Sequence, residues 1–182
     1  MIKYFDYMYE LDRQSFRYIN RYFDYKFLNS FFHKITHAGG ATFTIVAVLI
    51  MTIIATDTVQ NTAIASGISL MMSHIPVAIF KKIYPRKRPY LVLKNCRVTK
   101  KPLTDCSFPS GHTTAIFSII TPFILLNPVL ASILFPIGFL VGISRIYLGL
   151  HYPSDIIAGG LLGLTTGIIC FLLMGKYAQM LS

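Results

Sequence analysis

Three clusters of polar residues interrupt an otherwise apolar sequence, and each has the makings of a phosphate site. The first is Lys81, then six residues, then Arg88-Pro89. Two cations delivered from a helix end and the loop beyond it can grip one phosphate, Arg88 through its bidentate fork and Lys81 as a point charge. The plainer alternative, snorkelling or a lipid-headgroup patch, fits Lys82, Arg86 and Lys87. The second cluster is Pro109-Ser110-Gly111-His112, where a new apolar run begins. A helix starting there presents free backbone N–H groups and its positive dipole end, so Ser110 and Gly111 can bind phosphate oxygens. His112 then stands beside the anion with an ordinary pKa near 6.5, suited to general acid work. Simple helix capping by Ser110 is the competing reading. The third cluster is Ser144-Arg145, five residues, His151, three residues, Asp155. If a helix starts near His151, the i, i+4 spacing places Asp155 on the same face. A carboxylate on one ring nitrogen fixes the tautomer and leaves the other nitrogen free as a nucleophile, while Arg145 adds a third cation. The alternative is that Asp155 caps the last helix and Arg145 snorkels.

These clusters need a scaffold, and the composition says which kind. Hydrophobic residues make up 54% of the 182 and charged residues only 13%, with a mean hydropathy of +0.58, a balance that reads as one membrane domain. Of the 17 basic residues, nine fall between Lys81 and Lys101, and no acid lies between Asp57 and Asp105. The flanks of this basic stretch are apolar and of spanning length, which argues for a local anion site and against nucleic acid as a partner. Asp6, Glu10, Asp12 and Asp24 interrupt the N-terminal 36 residues, so no signal peptide is expected there. Cys96, Cys106 and Cys170 lack metal-ligand spacing and are expected as free thiols, with a Cys96–Cys106 pair possible only in an oxidising compartment.

A membrane-spanning helix needs about 20 apolar residues. Runs at Ala38–Thr56, Thr58–Phe80 and Ile156–Gly175 meet this, and the run Cys106–Ser144 is split in two by the turn signal Asn127-Pro128. The expected fold is therefore an all-α polytopic membrane bundle of about five transmembrane helices over residues 38–175. Ahead of it, residues 1–37 interleave aromatics such as Tyr4, Phe5, Phe16 and Tyr22 with charges, the pattern of an interfacial helix or pair of helices. Gly159, Gly163 and Gly167 recur every four residues, leaving a smooth ridge for close helix contact. His33 and His37 have zinc-like spacing without a third ligand and are read as interfacial, and His74 is expected to bond a backbone group freed by Pro76. With five spans, the N-terminus and all three clusters share one membrane face.

Taken together, Lys-x6-Arg-Pro, Pro-Ser-Gly-His and Ser-Arg-x5-His-x3-Asp resemble, without substitution, the signature of the type 2 phosphatidic acid phosphatase (PAP2) superfamily. The resemblance runs from about Thr58 to Gly175. It implies that His151 attacks phosphorus to give a phosphohistidine, that Asp155 orients it, and that His112 protonates the leaving oxygen and later helps activate water. It also implies that Lys81, Arg88, Ser110, Gly111 and Arg145 bind the phosphate. Asp57, Asp105 and Asp155 are the only acids beyond residue 24, so no carboxylate cluster suited to Mg²⁺ is expected and no cofactor is implied. The expected partners are the lipid bilayer and a membrane lipid phosphate substrate. Undecaprenyl diphosphate and phosphatidylglycerol phosphate lead the candidates, and nothing in the sequence bears on oligomeric state.

Two competing readings use the same cations. A non-enzymatic membrane transporter or resistance factor would hold a phosphate-bearing ligand without turnover, although no inverted repeat is evident. Soluble vanadate-binding haloperoxidases resemble the same site but lack the spans. Sixteen of the basic residues fall on the catalytic face and only Lys176 on the other, which by the positive-inside rule would turn that face to the cytoplasm. The resemblance, for a bacterial chain, points outward. Because much of this charge serves phosphate binding, the outer face is the expected one.

Overall fold

Apolar runs of this length satisfy their backbone hydrogen bonds within single helices, and every regular element among the described residues is helical. The structure, a computed structural model, describes residues 2–181, with side chains described for Tyr7 and for 9–176. Met1 and the side chains of Tyr4 and Phe5, which belong to the expected aromatic belt, lie outside the described residues. The helices are α1 (Ile2–Asn20), α2 (Lys26–Ile35), α3 (Ala41–Ile54), α4 (Asp57–Ile83), α5 (Pro89–Val92), α6 (Gly111–Leu126), α7 (Ala131–Tyr147) and α8 (Pro153–Leu181).

The bundle is built around α6. Its residues Thr113 to Pro122 are all buried, enclosed by α3, α4, α7 and α8. A small polar side chain of α4 ties it in, Ser66 donating to the Ile119 carbonyl at 3.0 Å, while within α6 Thr121 donates to the Phe117 carbonyl at 2.6 Å. The outward faces remain apolar, with Leu49, Ile53, Met71, Phe139, Leu161 and Leu172 exposed. A girdle of that kind suits hydrocarbon.

The expected glycine ridge is the seam between α8 and α6. A Cβ at Gly159 would lie 2.6 Å from the Ser110 carbonyl oxygen, and one at Gly167 would lie 2.6 Å from Thr121 Cβ. At Gly163 it would meet the Thr114 carbonyl oxygen at 2.5 Å and the Ser118 nitrogen at 2.9 Å. Those neighbours are backbone and cannot rotate away. Gly163→Ala is therefore expected to destabilise the bundle by about 1–3 kcal/mol through overpacking, read as a lower melting temperature in detergent.

Three helices are long and apolar enough to cross a membrane: Asp57–Ile83, Pro128–Tyr147 and Pro153–Lys176. The segment Lys26–Gly39 with Ala41–Ile54 makes a fourth if its 53° bend is counted within one span, and Gly111–Leu126 is a shorter apolar helix. The turn signal at Asn127-Pro128 acts as expected, with Asn127 Oδ1 accepting from Val129 N at 3.1 Å. The span expected at Ala38–Thr56 contains α3, Ala41–Ile54, and the chain bends just ahead of it at Gly39-Gly40. The packing there needs glycine, since a Cβ at Gly39 would lie 2.7 Å from the His112 carbonyl oxygen and 2.6 Å from Val141 Cγ1. The chain bends where it crosses the start of α6.

Ahead of the spans lie two helices, α1 and α2, as one of the two expected forms had it, but α1 is docked on protein. Phe16 is 1% exposed, and Asn20 donates to the carbonyls of Arg97 and Tyr147, both at 2.9 Å, while accepting from Arg97 N. His33 Nδ1 donates to the Asn29 carbonyl and its Nε2 accepts from Thr99 Oγ1, which leaves no ring nitrogen for zinc. His74 Nδ1 donates to the Leu70 carbonyl at 2.8 Å, whereas the carbonyl freed by Pro76 is that of Met72. The three cysteines are free.

Candidate active site

Ser110 opens the site by capping α6, its Oγ accepting from Thr113 N at 3.4 Å and lying 3.0 Å from Thr113 Oγ1. Its own N–H donates to the Asp155 carbonyl at 3.0 Å, joining the starts of α6 and α8. The Ser110 N–H is thus engaged, and the first-turn N–H groups without a partner among the described residues are those of Gly111 and His112. A Cβ at Gly111 would meet no atom within 4 Å. Protein packing does not demand glycine there, so any demand must come from what approaches this backbone.

The turn between α7 and α8 carries His151. It closes through Leu150 N and His151 N, which donate to the Arg145 carbonyl at 3.0 and 3.2 Å. Gly149 takes φ +78°, and a Cβ there would lie 2.2 Å from the Arg97 carbonyl oxygen, so only glycine fits the turn. His151 precedes α8 and is not helical. A turn therefore replaces the helical i, i+4 spacing anticipated, yet it still brings His151 Nδ1 to 3.5 Å from Asp155 Oδ2. That separation is longer than a hydrogen bond, so Asp155 acts on the ring chiefly by charge in this arrangement. Asp155 is held by Tyr152 N at 2.8 Å, by the Ser107 hydroxyl and by Arg86 Nη1 at 2.7 Å. It both faces the histidine and organises the start of α8, so the two readings of this residue are compatible.

Arg88 fixes the tautomer. Its guanidinium only donates, and Nη1 lies 3.1 Å from His151 Nε2, so Nε2 carries the lone pair and Nδ1 the proton. The same Arg88 donates to the Leu150 and Asp105 carbonyls, each at 2.8 Å, and to Asp105 Oδ1 at 2.7 Å. Asp105 also accepts from Lys81. Burial would raise the Asp105 carboxyl, but its bonds to Lys81 and Arg88 outweigh that and hold it at about 2. Burial pushes the His151 imidazole down to about 4, against the opposing pull of Asp155. The ring is neutral at ordinary pH, the state a nucleophile requires.

Arg145 completes the floor. It is 4% exposed, donates from Nη1 to Thr36 Oγ1 at 2.7 Å, and leaves its buried Nε without a partner. His112 feels the charges of Arg145 and Arg88 and the ring of His151. All eight residues singled out from the sequence thus meet at one end of the bundle. Four residues that sequence reasoning did not assign to the site join them: Asp105 pairs Lys81 with Arg88, Thr36 engages Arg145, and Arg86 and Asp12 back Asp155. Arg86 fits the surface patch suggested by its neighbours least well, its side chain being 12% exposed and held between two carboxylates.

Comparison with known proteins bears directly on this arrangement. The PAP2 superfamily matches residues 62–178. The chain belongs to that superfamily. Among its relatives is the bacitracin transport permease protein BcrC of Bacillus licheniformis, 34% identical over 118 residues, which are 63% of this chain and 58% of the relative. An undecaprenyl-diphosphatase of Sulfolobus acidocaldarius is 33% identical over 102 residues, 53% of this chain and 50% of the relative. The chain therefore matches about half the length of these curated relatives. The crystal structure of Aquifex aeolicus LpxE superposes with a TM-score of 0.76 at 29% identity, covering 86% of this chain and 92% of that one. The PAP2 match begins within α4, so α1, α2 and α3, with Asp12 and Thr36, lie outside it.

Proposed function

We propose that this PAP2 protein is an integral-membrane, metal-independent lipid phosphatase or diphosphatase that works through a phosphohistidine at His151. The observation that carries the reading is a buried, neutral imidazole whose lone-pair nitrogen faces the Arg88 guanidinium at 3.1 Å, with the orphaned Nε of Arg145 in the same cluster. Cations arranged around a nucleophilic nitrogen suit the equatorial oxygens of a phosphoryl group.

The steps follow from the donors present. An incoming phosphoryl group draws Arg88 off His151 Nε2 and onto a phosphoryl oxygen, which uncovers the lone pair. Arg145, Lys81 and the N–H groups of Gly111 and His112 take the remaining oxygens, with Ser110 holding the start of α6 in register. Nε2 then forms the N–P bond as the bond from phosphorus to the leaving oxygen breaks, and His112 gives that oxygen its proton. Asp155 stabilises the positive ring that results. A water, deprotonated by His112, next attacks phosphorus; the N–P bond breaks and inorganic phosphate leaves. Mg²⁺ is not needed, because the two carboxylates nearest the site are already committed to cations, Asp105 to Lys81 and Arg88, and Asp155 to Arg86.

Five crossings fit the chain best. The bent α2–α3 segment, α4, α6, α7 and α8 each traverse the bilayer, with the 16-residue α6 spanning about 24 Å inside a sheath of longer helices. The site then sits at one membrane surface, the outer one, and the Lys/Arg excess on that face serves phosphate rather than orientation. Undecaprenyl diphosphate is the favoured substrate on the strength of the relatives, with phosphatidylglycerol phosphate next.

A phosphate-release panel in detergent with chelator present, using undecaprenyl diphosphate, phosphatidylglycerol phosphate and phosphatidic acid, tests this reading. Release is expected from all three above background and fastest from the diphosphate. Saturable binding of these lipids with no release from any would favour instead a non-enzymatic role such as transport, the activity for which the Bacillus licheniformis relative is named.

A further inference from the structure

The guanidinium of Arg86 is placed where a lipid-facing cation would not be. Nη1 donates to Asp155 Oδ1 and to Ser154 Oγ, both at 2.7 Å, and Nη2 donates to Asp12 Oδ2 at 2.6 Å. Its Cζ lies over the Tyr152 ring, 4.0 Å from the centroid. Asp12, buried on α1, also accepts from Ser154 N at 2.9 Å and from Ser154 Oγ at 2.6 Å. One cation is thus shared between two carboxylates, one of them facing His151.

We propose that Arg86 and Asp12 are positioning residues, a relay from α1 that sets the orientation and effective charge of Asp155 against His151. The proposal rests on the assignment of His151 as nucleophile.

The physics gives each partner a distinct part. Arg86 holds one oxygen of Asp155, so the other stays turned to Tyr152 N and the His151 ring. Left alone with Arg86, Asp155 would spend most of its charge on that cation. Asp12 takes a share of Arg86, which returns part of the Asp155 field to the imidazole. The relay ties the catalytic turn to a helix beyond residues 62–178, so the N-terminal helix enters the chemistry without touching substrate. Other charges face His151 as well: Arg88 from the basic loop, with Asp105 and Lys81 behind it, Arg145 from α7 and His112 from α6. None of these contacts Arg86 or Asp12 among the described hydrogen bonds, so variants at the relay leave them in place.

The full-length chain in detergent, turning over farnesyl diphosphate as a soluble probe, provides the test. The pH dependence of kcat/KM has an acid limb set by protonation of His151. Arg86→Gln leaves Asp155 less neutralised, so that limb is expected to move up by roughly 0.5–1 pH unit. Asp12→Asn is expected to move it down, and the double variant to return it close to wild type. In both single variants kcat should fall roughly ten- to a hundred-fold, as when the orienter of a working imidazole is disturbed, with KM little changed. Arg86→Lys, which keeps the charge and loses the fork, should recover part of the kcat. Opposite limb shifts that cancel in the double variant support the relay. Limbs that stay put while activity falls in step with the melting temperature would overturn it and leave the phosphatase assignment standing. Should any variant not fold, the charge-retaining Arg86→Lys and Asp12→Glu limbs decide alone, and an unshifted limb with unreduced kcat in both counts against the relay. Undiminished turnover in His151→Ala would remove both proposals together.

Discussion

His151→Ala is expected to lower phosphate release from a lipid diphosphate by about 10⁴-fold or more, because it removes the atom that bonds to phosphorus. The protein should still insert and fold. Arg88 loses one acceptor but keeps the Leu150 and Asp105 carbonyls, and Asp155 keeps Ser107, Tyr152 N and Arg86. The cost to stability is then that of one buried polar contact and a small void, about 1–3 kcal/mol. Two measurements separate the effects: phosphate release across the pH range, and a thermal melt followed by helical circular dichroism. A second sign is chemical. Brief incubation with labelled substrate and an alkaline quench should trap an acid-labile, alkali-stable phosphoenzyme in the wild type and none in the variant. Full activity in His151→Ala would end the reading.

Arg88→Lys has the second largest expected effect, roughly 10³-fold in kcat/KM. The charge survives, so a simple count of cations foresees little change. Geometry foresees much more, because Arg88 uses Nε, Nη1 and Nη2 at once: on the Asp105 carbonyl, on Leu150 and His151, and on the Asp105 carboxylate. A lysine offers a single ammonium and cannot reach these acceptors together. The half-exposed Asp105 would remain with Lys81 alone. Lys82→Gln, which removes an exposed cation of the basic run without a hydrogen bond among the described side chains, serves as the comparison. A loss at Arg88 no larger than that at Lys82 would show that bulk charge, and not the fork, binds the phosphoryl group.

The site was legible in the sequence to the extent that its residues announce themselves by type and spacing near helix ends. Lys81 sits at the end of an apolar run, Ser110 at the start of one, and His151 and Asp155 straddle another. Ionisable groups at such depths are costly, so few are present by accident. The supporting residues gave no such sign. Arg86 stands among Lys82, Lys87 and Arg88 and looks like any member of a basic run, yet its partners Asp12 and Asp155 lie 74 and 69 residues away. Asp12 itself reads as an ordinary charge on an amphipathic helix. Thr36 reads as nothing at all, although it meets Arg145 across 109 residues. The bend before α3 was hidden for a similar reason: Gly39-Gly40 looks like a flexible spot, and only the carbonyl of His112 beneath it shows why a side chain cannot pass.

The sequence by itself determined that the chain is helical and membrane-bound, where its apolar runs begin and end, and which residues are the candidates for a phosphate cradle. Those properties depend on neighbours a few positions apart, on the length of a run or the residue that caps it. The tertiary structure alone decided how the cations are divided among the carboxylates, which nitrogen of His151 bears the lone pair, and that α1 braces the catalytic turn. Each of these is settled by distances of about 3 Å between segments far apart in the chain, such as the 2.9 Å bond from Ser154 N to Asp12 across 142 positions. Hydrogen bonds and ion pairs lose their strength within a fraction of that spacing, so only the packed bundle can choose among the partners the composition permits.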